Sequence, residues 1–485
     1  MSTNSTSTAA IIDGWIDEPD GRGTWSILSS CLLTIVLCCW TAVMPNIPAR
    51  SDRWYHGLRD RLHLAALGLL GPEFLLMLAL GQWSSARASV KEFERLATTE
   101  TTERPIWTLT HAFYADMGGF LVDGPGTERP FPVNAKQLRF LIEKGYVKYP
   151  MIDEDDINDR NKSDAFSRYV PHLLKTVAHR LIRMSSVIAV CQALWLLVNC
   201  AMRVAQGLAL TTLELTTISF VVVFLVTSFC WRFKPSDISS TLTLHSNTNF
   251  DIMRKQYPVP EQHCPYPSQE WHETPLDFVC NDVSFCAVHW RYYTEILRKM
   301  HIPMFSRPMT AKPRDRIVSD NFPVTDRKAD CIATPVLLLF GSIFMLAWNF
   351  HFPSPTEHLL WRVASIYNLT FTVIGGLHAG YCDKILLPRE YNRRLLLPLS
   401  RPKTSTNPSR QRSCLRNLAA KLRNIDPYRD PKREVPLRVL FPTSVLCAAY
   451  CVGRAYVLTE DFIGLRSLPA TAFQTVSWSD YVPHL

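Results

Sequence analysis

The chain has 485 residues, of which 47% are hydrophobic and 20% are charged, and its formal charge is +9. Charge-free blocks alternate with very polar ones, which is typical of a multi-pass membrane protein and excludes a simple soluble domain. The positive charge is concentrated between Lys384 and Arg438, where 15 basic residues face four acidic ones. One basic loop between apolar segments favours a cytosolic loop beside anionic lipid, so nucleic acid is not expected as a partner.

Seven apolar segments approach the roughly 20 residues that a helix needs to cross a bilayer. Because they are continuous runs, they predict an all-α membrane protein with the bilayer as its surroundings. In chain order the segments are 27–44, 62–83, 184–202, 213–231, 332–352, 363–382 and 439–459.

Long polar stretches separate these spans and define the predicted organisation of the chain. We find no internal repeat. The predicted parts are 1–83 (the N-terminal region with two spans), 84–180 (a polar insertion), 181–231 (spans three and four), 232–331 (a second, ordered insertion), 332–382 (spans five and six), 383–438 (the basic loop) and 439–485 (the last span and a C-terminal segment).

The orientation in the membrane stays open at this stage. A cytosolic basic loop and seven spans place the N-terminus in the cytosol and the C-terminus in the lumen. Four arginines between positions 50 and 61 would then face the lumen, against the positive-inside rule. Either the 62–83 segment does not fully cross, or HAFYADMGGFLV is re-entrant. Asn161-Lys162-Ser163 fits a glycosylation sequon only if its loop is lumenal.

The 14 cysteines predict neither a zinc site nor a disulfide framework. Eight of them lie within apolar runs, where cysteine behaves as a small hydrophobic residue. Cys264, Cys280, Cys286 and Cys331 lie in or next to the second insertion, where one disulfide remains an alternative. The acidic run at 151–160 lacks the order and the glycine of an EF-hand, which predicts a solvated loop and not a metal site.

Glu73 lies near the middle of the second apolar segment. An ionisable group at membrane depth is costly and is usually kept for a partner or a function. A carboxyl group there resists ionisation, which suits an acid that protonates an alkene or opens an epoxide, and Pro72 would help a pocket to form. The alternative is a structural carboxyl group paired with His378 or Arg454 of another span, and the sequence leaves both open.

Three further acids are candidate catalytic residues beside Glu73. Asp461 lies at the mouth of the last span, Asp383 closes the sixth, and Asp116 lies in HAFYADMGGF after His111. Carboxylates at the membrane interface are usually just solvated, so Asp461 and Asp383 gain a role only if they converge on Glu73. Asp116 and His111 are instead a candidate pair to line a pocket.

Motifs for other chemistry are missing from the sequence. We find no nucleotide-binding, serine-hydrolase or zinc-protease motif and no Asp-rich motif of soluble terpene synthases. No cofactor or metal is therefore expected, and proton transfer is the chemistry that remains for the candidate acids. Glu214, at the entry of the fourth span, is expected to support a helix N-terminus through the macrodipole.

Several stretches together resemble a large family of multi-pass fungal membrane proteins, most of which have no assigned activity. They are GRGTWSILSSCLLTIVLCCWTAVMPNIP, HAFYADMGGF, INDRNKSDAFSR, RVAQGLALTTLELTTISF, WRFKPSDI, PTEHLLWRVASI and RAYVLTEDFIGLRSLPATAFQTVSWSDYVPHL. A similarity in class to the membrane-bound terpene cyclases of meroterpenoid pathways implies a role in fungal secondary metabolism, in the endoplasmic reticulum.

The leading hypothesis is a protonation-initiated terpene cyclase that acts on the isoprenoid tail of a lipophilic small-molecule substrate. A buried acid and abundant aromatic residues are what such a reaction needs. The alternatives are a metabolite transporter that uses the same carboxyl group for proton coupling, and a non-catalytic scaffold that holds other pathway enzymes through its insertions.

Overall fold

The computed structural model describes residues 10–18, 21–97, 105–159, 172–236, 238, 240–257, 271–279, 284–302, 304, 307–389, 414–425 and 433–478. Three residues singled out by the sequence, Asn161, Cys264 and Cys280, lie outside these ranges.

Fourteen helices and five short strands make up the described part of the chain. The helices are α1 (Thr24–Ala42), α2 (Trp54–Leu70), α3 (Pro72–Ala97), α4 (Leu109–Asp116), α5 (Ala135–Glu143), α6 (Glu154–Asp159), α7 (His172–Ala205), α8 (Thr212–Trp231), α9 (Phe250–Gln256), α10 (Phe285–Lys299), α11 (Arg327–Ile343), α12 (Pro355–Tyr381), α13 (Cys414–Arg423) and α14 (Leu437–Ile463). The strands are β1 (Ile11–Asp13), β2 (Phe120–Asp123), β3 (Phe131–Val133), β4 (Leu242–His245) and β5 (Ser467–Pro469).

Five helical segments among the described residues are long and apolar enough to cross a membrane. They lie in α1, α7, α8, α11 with its 3₁₀ extension, and α14, and they coincide with five predicted spans. The predicted count of seven is not confirmed. The second span is two helices, α2 and α3, bent by 120°. The sixth lies in α12, which carries polar residues such as Asn368 and His378 and is not one of the five.

The break between α2 and α3 follows from Gly71-Pro72. Gly71 has φ −154° and ψ 78°, and a Cβ atom there would lie 2.5 Å from the ring of Phe74. Pro72 begins α3, where its missing N–H costs nothing. Glu73 is therefore placed in the first turn of α3, at the break itself.

The polar stretches 84–180 and 232–331, which the sequence predicts to be insertions, share one small sheet. Central β2 pairs antiparallel with β3 from the same insertion and parallel with β4 from the second insertion. Phe131 and Phe250 pack edge to face at 5.2 Å beneath it, and both are buried. The Tyr114 hydroxyl of α4 donates to the Ser240 carbonyl at 3.0 Å. The insertions therefore pack as one body, although they are far apart in sequence.

Lys234, just after α8, joins this body to the membrane helices. Its Nζ donates to Gln82 Oε1 at 2.9 Å and to Asn46 Oδ1 at 3.3 Å, and Trp231 Nε1 donates to the same Gln82 oxygen. Its hydrogen-bond acceptors are neutral amides, and burial lowers the pKa of Lys234 to about 7 from 10.5, with Asp116 opposing that shift.

Replacing Lys234 with methionine should flatten the pH dependence of stability. Between pH 7 and pH 10.5 the unfolded chain binds one more proton here than the folded chain, so the stability of the wild type rises with pH in this window and falls towards pH 7. In the wild type we expect the free energy of unfolding to increase by an amount on the order of 2 kcal/mol from pH 7 to pH 9, and we expect Lys234→Met to lack this increase. Thermal unfolding in detergent at the two pH values measures the difference. The exposed Lys91→Met is the control, and an unchanged slope in Lys234→Met would contradict the account.

Candidate functional site

One face of α14 carries a row of buried residues, three of which are polar. Tyr450, Arg454, Val457 and Asp461 follow one another at spacings of four, three and four, which places them on a single helix face. All four are buried. This face packs against α8 and α12.

The Glu73 carboxyl group contacts Tyr450, the first residue of this face. The Tyr450 hydroxyl donates to Glu73 Oε1, while Glu73 Oε2 has no hydrogen-bond partner among the described residues. The ring of Tyr450 stacks on Phe371 at 4.5 Å and meets the edge of Phe74 at 6.0 Å. These two rings fix the phenol that holds the carboxyl group.

Arg454 lies one turn further along α14 and is 2% exposed. Its guanidinium is surrounded by the rings of Phe220, Phe340 and Phe344, each 5.3 Å away. None of its three nitrogens has a hydrogen-bond partner in the described part of the chain. Cation–π contacts stabilise the charge, but the N–H groups remain available for a polar partner.

Asp461 is the third ionisable group of this cluster and is 1% exposed. Thr212 and Thr216, from the first turns of α8, lie beside its carboxylate. Neither Asp461 oxygen nor the Thr216 hydroxyl forms a well-aligned hydrogen bond with another described residue. Arg454 attracts both Glu73 and Asp461 electrostatically, although no direct ion pair with either is present among the described contacts.

The charges of this cluster imply that it holds one proton. Fully ionised, Glu73, Arg454 and Asp461 would carry a net charge of −1 at membrane depth. The neighbouring buried Glu460 is not counted in this set, because it lies beside Tyr456 and Arg466. A net charge in such a medium costs more than a neutral set. In the neutral set Arg454 and one carboxylate are charged and the other carboxyl group is protonated. One of the two carboxyl groups, Glu73 or Asp461, is therefore expected to hold the proton.

A pocket of about 300 Å³ opens at the ends of α8, α11 and α14. It is mainly apolar, with polar groups from Thr212 and His351. Thr212 belongs both to the pocket wall and to the surroundings of Asp461, so this part of the pocket wall neighbours Asp461. Its lining residues are Ala209, Leu210, Thr211, Thr212, Asn349, Phe350, His351, Phe352, Gly464, Leu468 and Pro469.

Two of the four predicted acids make structural contacts elsewhere. Asp383 accepts a hydrogen bond from the Phe285 N–H at 2.6 Å and so caps α10. Asp116 accepts from Ser85 Oγ at 2.7 Å and from the Ala135 N–H at 3.0 Å, and burial raises its pKa. Neither residue converges on Glu73. Their catalytic roles stay predictions, and one carboxylate oxygen of each accepts a hydrogen bond from a backbone N–H.

Two histidines and Glu214, which the sequence also singled out, make local contacts. The proposed pairing of Glu73 with His378 is wrong, since His378 Nε2 contacts Thr443 Oγ1 at 3.3 Å. His111 Nε2 lies 2.9 Å from the Ile152 carbonyl oxygen, with which it forms a hydrogen bond. Glu214 forms a capping box with Thr211, which confirms its expected role at the start of α8.

The described ranges contain neither a disulfide nor a group of side chains that could bind a metal ion. Cys286 and Cys331 are free thiols there. No described group of three His, Cys, Asp or Glu side chains could hold a metal ion.

Sequence reasoning missed Tyr450, the aromatic cage and the two threonines. The spacing of Tyr450, Arg454 and Asp461 was a usable signal, because three polar residues on one face of an apolar helix face the interior of a bundle. The cage residues carry no such signal, since phenylalanine is equally common on lipid-facing surfaces.

Comparison with known proteins gives one match. Residues 1–255 match the family of unknown function DUF8562, and this range includes Glu73 but neither Arg454 nor Asp461. No curated protein and no solved structure is detectably similar to the chain. Since the matched range covers more than half of the 485 residues, the chain belongs to the DUF8562 family.

Proposed function

We propose that this protein is a membrane-embedded enzyme that protonates a lipophilic substrate and thereby starts the cyclisation of its isoprenoid tail. The observation that carries the proposal is the buried cluster of two carboxyl groups and one guanidinium, whose Asp461 lies beside Thr212 in the wall of a mainly apolar pocket. Its charge balance predicts one protonated carboxyl group. A general acid needs such a proton and a site from which bulk water is largely excluded.

The proton balance of this reaction closes within the protein. The protonated carboxyl group gives its proton to a terminal alkene carbon or an epoxide oxygen of the substrate. Ring closure converts π bonds into carbon–carbon σ bonds, and the final cation returns a proton to the carboxylate. The product is an isomer of the substrate. Arg454 remains charged throughout and stabilises the carboxylate in the intermediate state.

The pocket has the composition that this substrate class requires. Phe350, Phe352, Leu210 and Leu468 supply an apolar and partly aromatic wall. Thr212 and His351 supply polar groups at which a ring oxygen could be oriented. A volume of about 300 Å³ suits one small lipophilic molecule.

The experiment uses microsomes from yeast that express the full chain, in the endoplasmic reticulum where we propose that it resides. A farnesyl-bearing phenol and its terminal epoxide are supplied, and the products are separated by chromatography with mass detection. We expect a product of unchanged mass and altered retention that vector-only microsomes do not form. Both substrates remaining intact, while the protein is present and folded, would contradict the proposal for this substrate class.

A proton-coupled transporter is the second candidate, favoured by the break at Gly71. Many transporters bind substrate at a discontinuous helix, and Glu73 lies in the first turn of such a half-helix. The missing internal repeat argues against it. Substrate flux into proteoliposomes that follows an imposed pH gradient, without any change in the molecule, would favour transport over catalysis.

A further inference from the structure

Contacts at the helix ends define two faces of the membrane domain. At one face Arg22, just before α1, donates to Glu214 at the start of α8 at 2.5 Å. His351, after α11, contacts Ser467 Oγ, after α14, at 3.2 Å. Strands β1 and β5 pair here, and only six residues separate α7 from α8. We call this side the terminal face, because the described segments nearest to both chain termini lie on it.

The opposite helix ends meet at the face that carries the insertions, here called the insertion face. Lys234, after α8, donates to Asn46, after α1, at 3.3 Å. Ser84 Oγ of α3 donates to Asp326, which caps α11, at 2.8 Å. Helices α1, α8 and α11 therefore each run from one face to the other.

Helix α12 also connects the two faces. Near its start, Glu357 accepts from Arg466, which follows α14, at 2.5 Å. Beyond its end, Asp383 accepts from Phe285 of the second insertion at 2.6 Å. Together with α7 and α14, this gives six crossings.

The pair α2–α3 starts and ends on the same face. Arg307 of the second insertion donates to Asp52 at 2.8 Å and to Asp60 at 2.6 Å, which holds the start of α2 at the insertion face. Helix α3 returns there through Gln82 and Ser84. The 120° bend lies between, and it carries Glu73 into the bundle.

We infer that the chain crosses the membrane six times, that α2–α3 is a re-entrant hairpin, and that the insertion face is cytosolic. The crossings are even in number, so both termini lie on the other side. The basic loop, with 15 basic against four acidic residues, and the arginines between positions 50 and 61 now share one face. That distribution obeys the positive-inside rule, which seven crossings would violate.

The terminal face has the opposite charge character. The first 23 residues contain Asp13, Asp17, Glu18 and Asp20 against Arg22 alone. The pocket at the ends of α8, α11 and α14 opens on this non-cytosolic side. The insertion face instead presents its basic loop to the anionic headgroups of the cytosolic leaflet.

Glycosylation of the full chain in rough microsomes tests the number of crossings. Acceptor tags are fused to the N-terminus and to the C-terminus, separately and together, after Asn4→Gln has removed the native N-terminal sequon. We expect each single tag to add one glycan and the double tag to add two, all removable by endoglycosidase H. The native sequon at Asn161 should stay unmodified, so Asn161→Gln should leave the gel mobility unchanged.

Each other outcome overturns the inference. One modified and one unmodified terminus would show an odd number of crossings, as seven spans require. Two unmodified termini together with a modified Asn161 would show the reverse orientation. The terminal tags lie outside every described element, and the Asn161 measurement requires no insertion. Neither measurement depends on substrate or turnover, so it stays separate from the test of the proposed enzyme.

Discussion

Replacing Arg454 with methionine is expected to lower the free energy of unfolding by about 3–5 kcal/mol. The substitution keeps an apolar stem among Phe220, Phe340 and Phe344 but removes the only cation beside Glu73 and Asp461 in the described bundle core. Two buried carboxyl groups then have no counter-charge. Thermal and denaturant unfolding in detergent would measure the loss.

The net charge of the cluster predicts how substitutions at Glu73, Asp461 and Arg454 combine in their effect on stability. Glu73→Gln and Asp461→Asn should each change stability little, because one carboxylate still balances Arg454. Their combination should destabilise strongly, since it leaves Arg454 alone. The triple variant with Arg454→Met should recover much of the loss, because the cluster is neutral again. A double variant as stable as the wild type would contradict the assignment of one buried proton to Glu73 or Asp461.

Glu73→Gln is expected to lower turnover at least 100-fold in the microsomal cyclisation assay. The amide still accepts the hydrogen bond from Tyr450 and preserves the packing of Phe74, so the fold should survive. The remaining charges, Arg454 and Asp461, are balanced without a proton, and no acid is left to start the reaction. Asp461→Asn should have the same effect for the same reason.

The control for this prediction lies on the same helix. Glu94 is exposed on α3, and Glu94→Gln removes an identical group far from the cluster. We expect it to keep wild-type turnover. Full activity in Glu73→Gln would exclude Glu73 as the proton source. If Glu73→Gln loses activity while Asp461→Asn keeps wild-type turnover, the proton belongs to Glu73 alone.

The sequence predicted the features that depend on local composition. A long apolar run with Glu73 in its middle already indicated a costly group at membrane depth, and five of the predicted spans coincide with sufficiently apolar helices. The direction of the chain after Gly71 could not be predicted. A Gly-Pro step is compatible with a kinked crossing and with a hairpin, and only the contacts of Arg307 and Ser84 distinguish them.

The composition of the site depended on tertiary packing. Arg454 was predicted only as one of two partners for Glu73, and Tyr450 was not predicted at all. The cage around Arg454 comes from α8 and α11, and nothing local to those segments marks their phenylalanines. In the sequence, Asp383 and Asp116 could not be distinguished from the other candidate acids. Nothing in their sequence positions indicated that backbone N–H groups would donate hydrogen bonds to their carboxylates.

Infrared difference spectroscopy on the purified protein tests most directly whether Glu73 or Asp461 is protonated. Spectra recorded in H₂O and D₂O report the C=O stretch of protonated carboxyl groups, and substitution assigns each band. The account predicts one buried protonated carboxyl at neutral pH whose band disappears in Glu73→Gln and in Asp461→Asn and persists in Glu94→Gln. A spectrum in which neither substitution removes a protonated carboxyl band would contradict it.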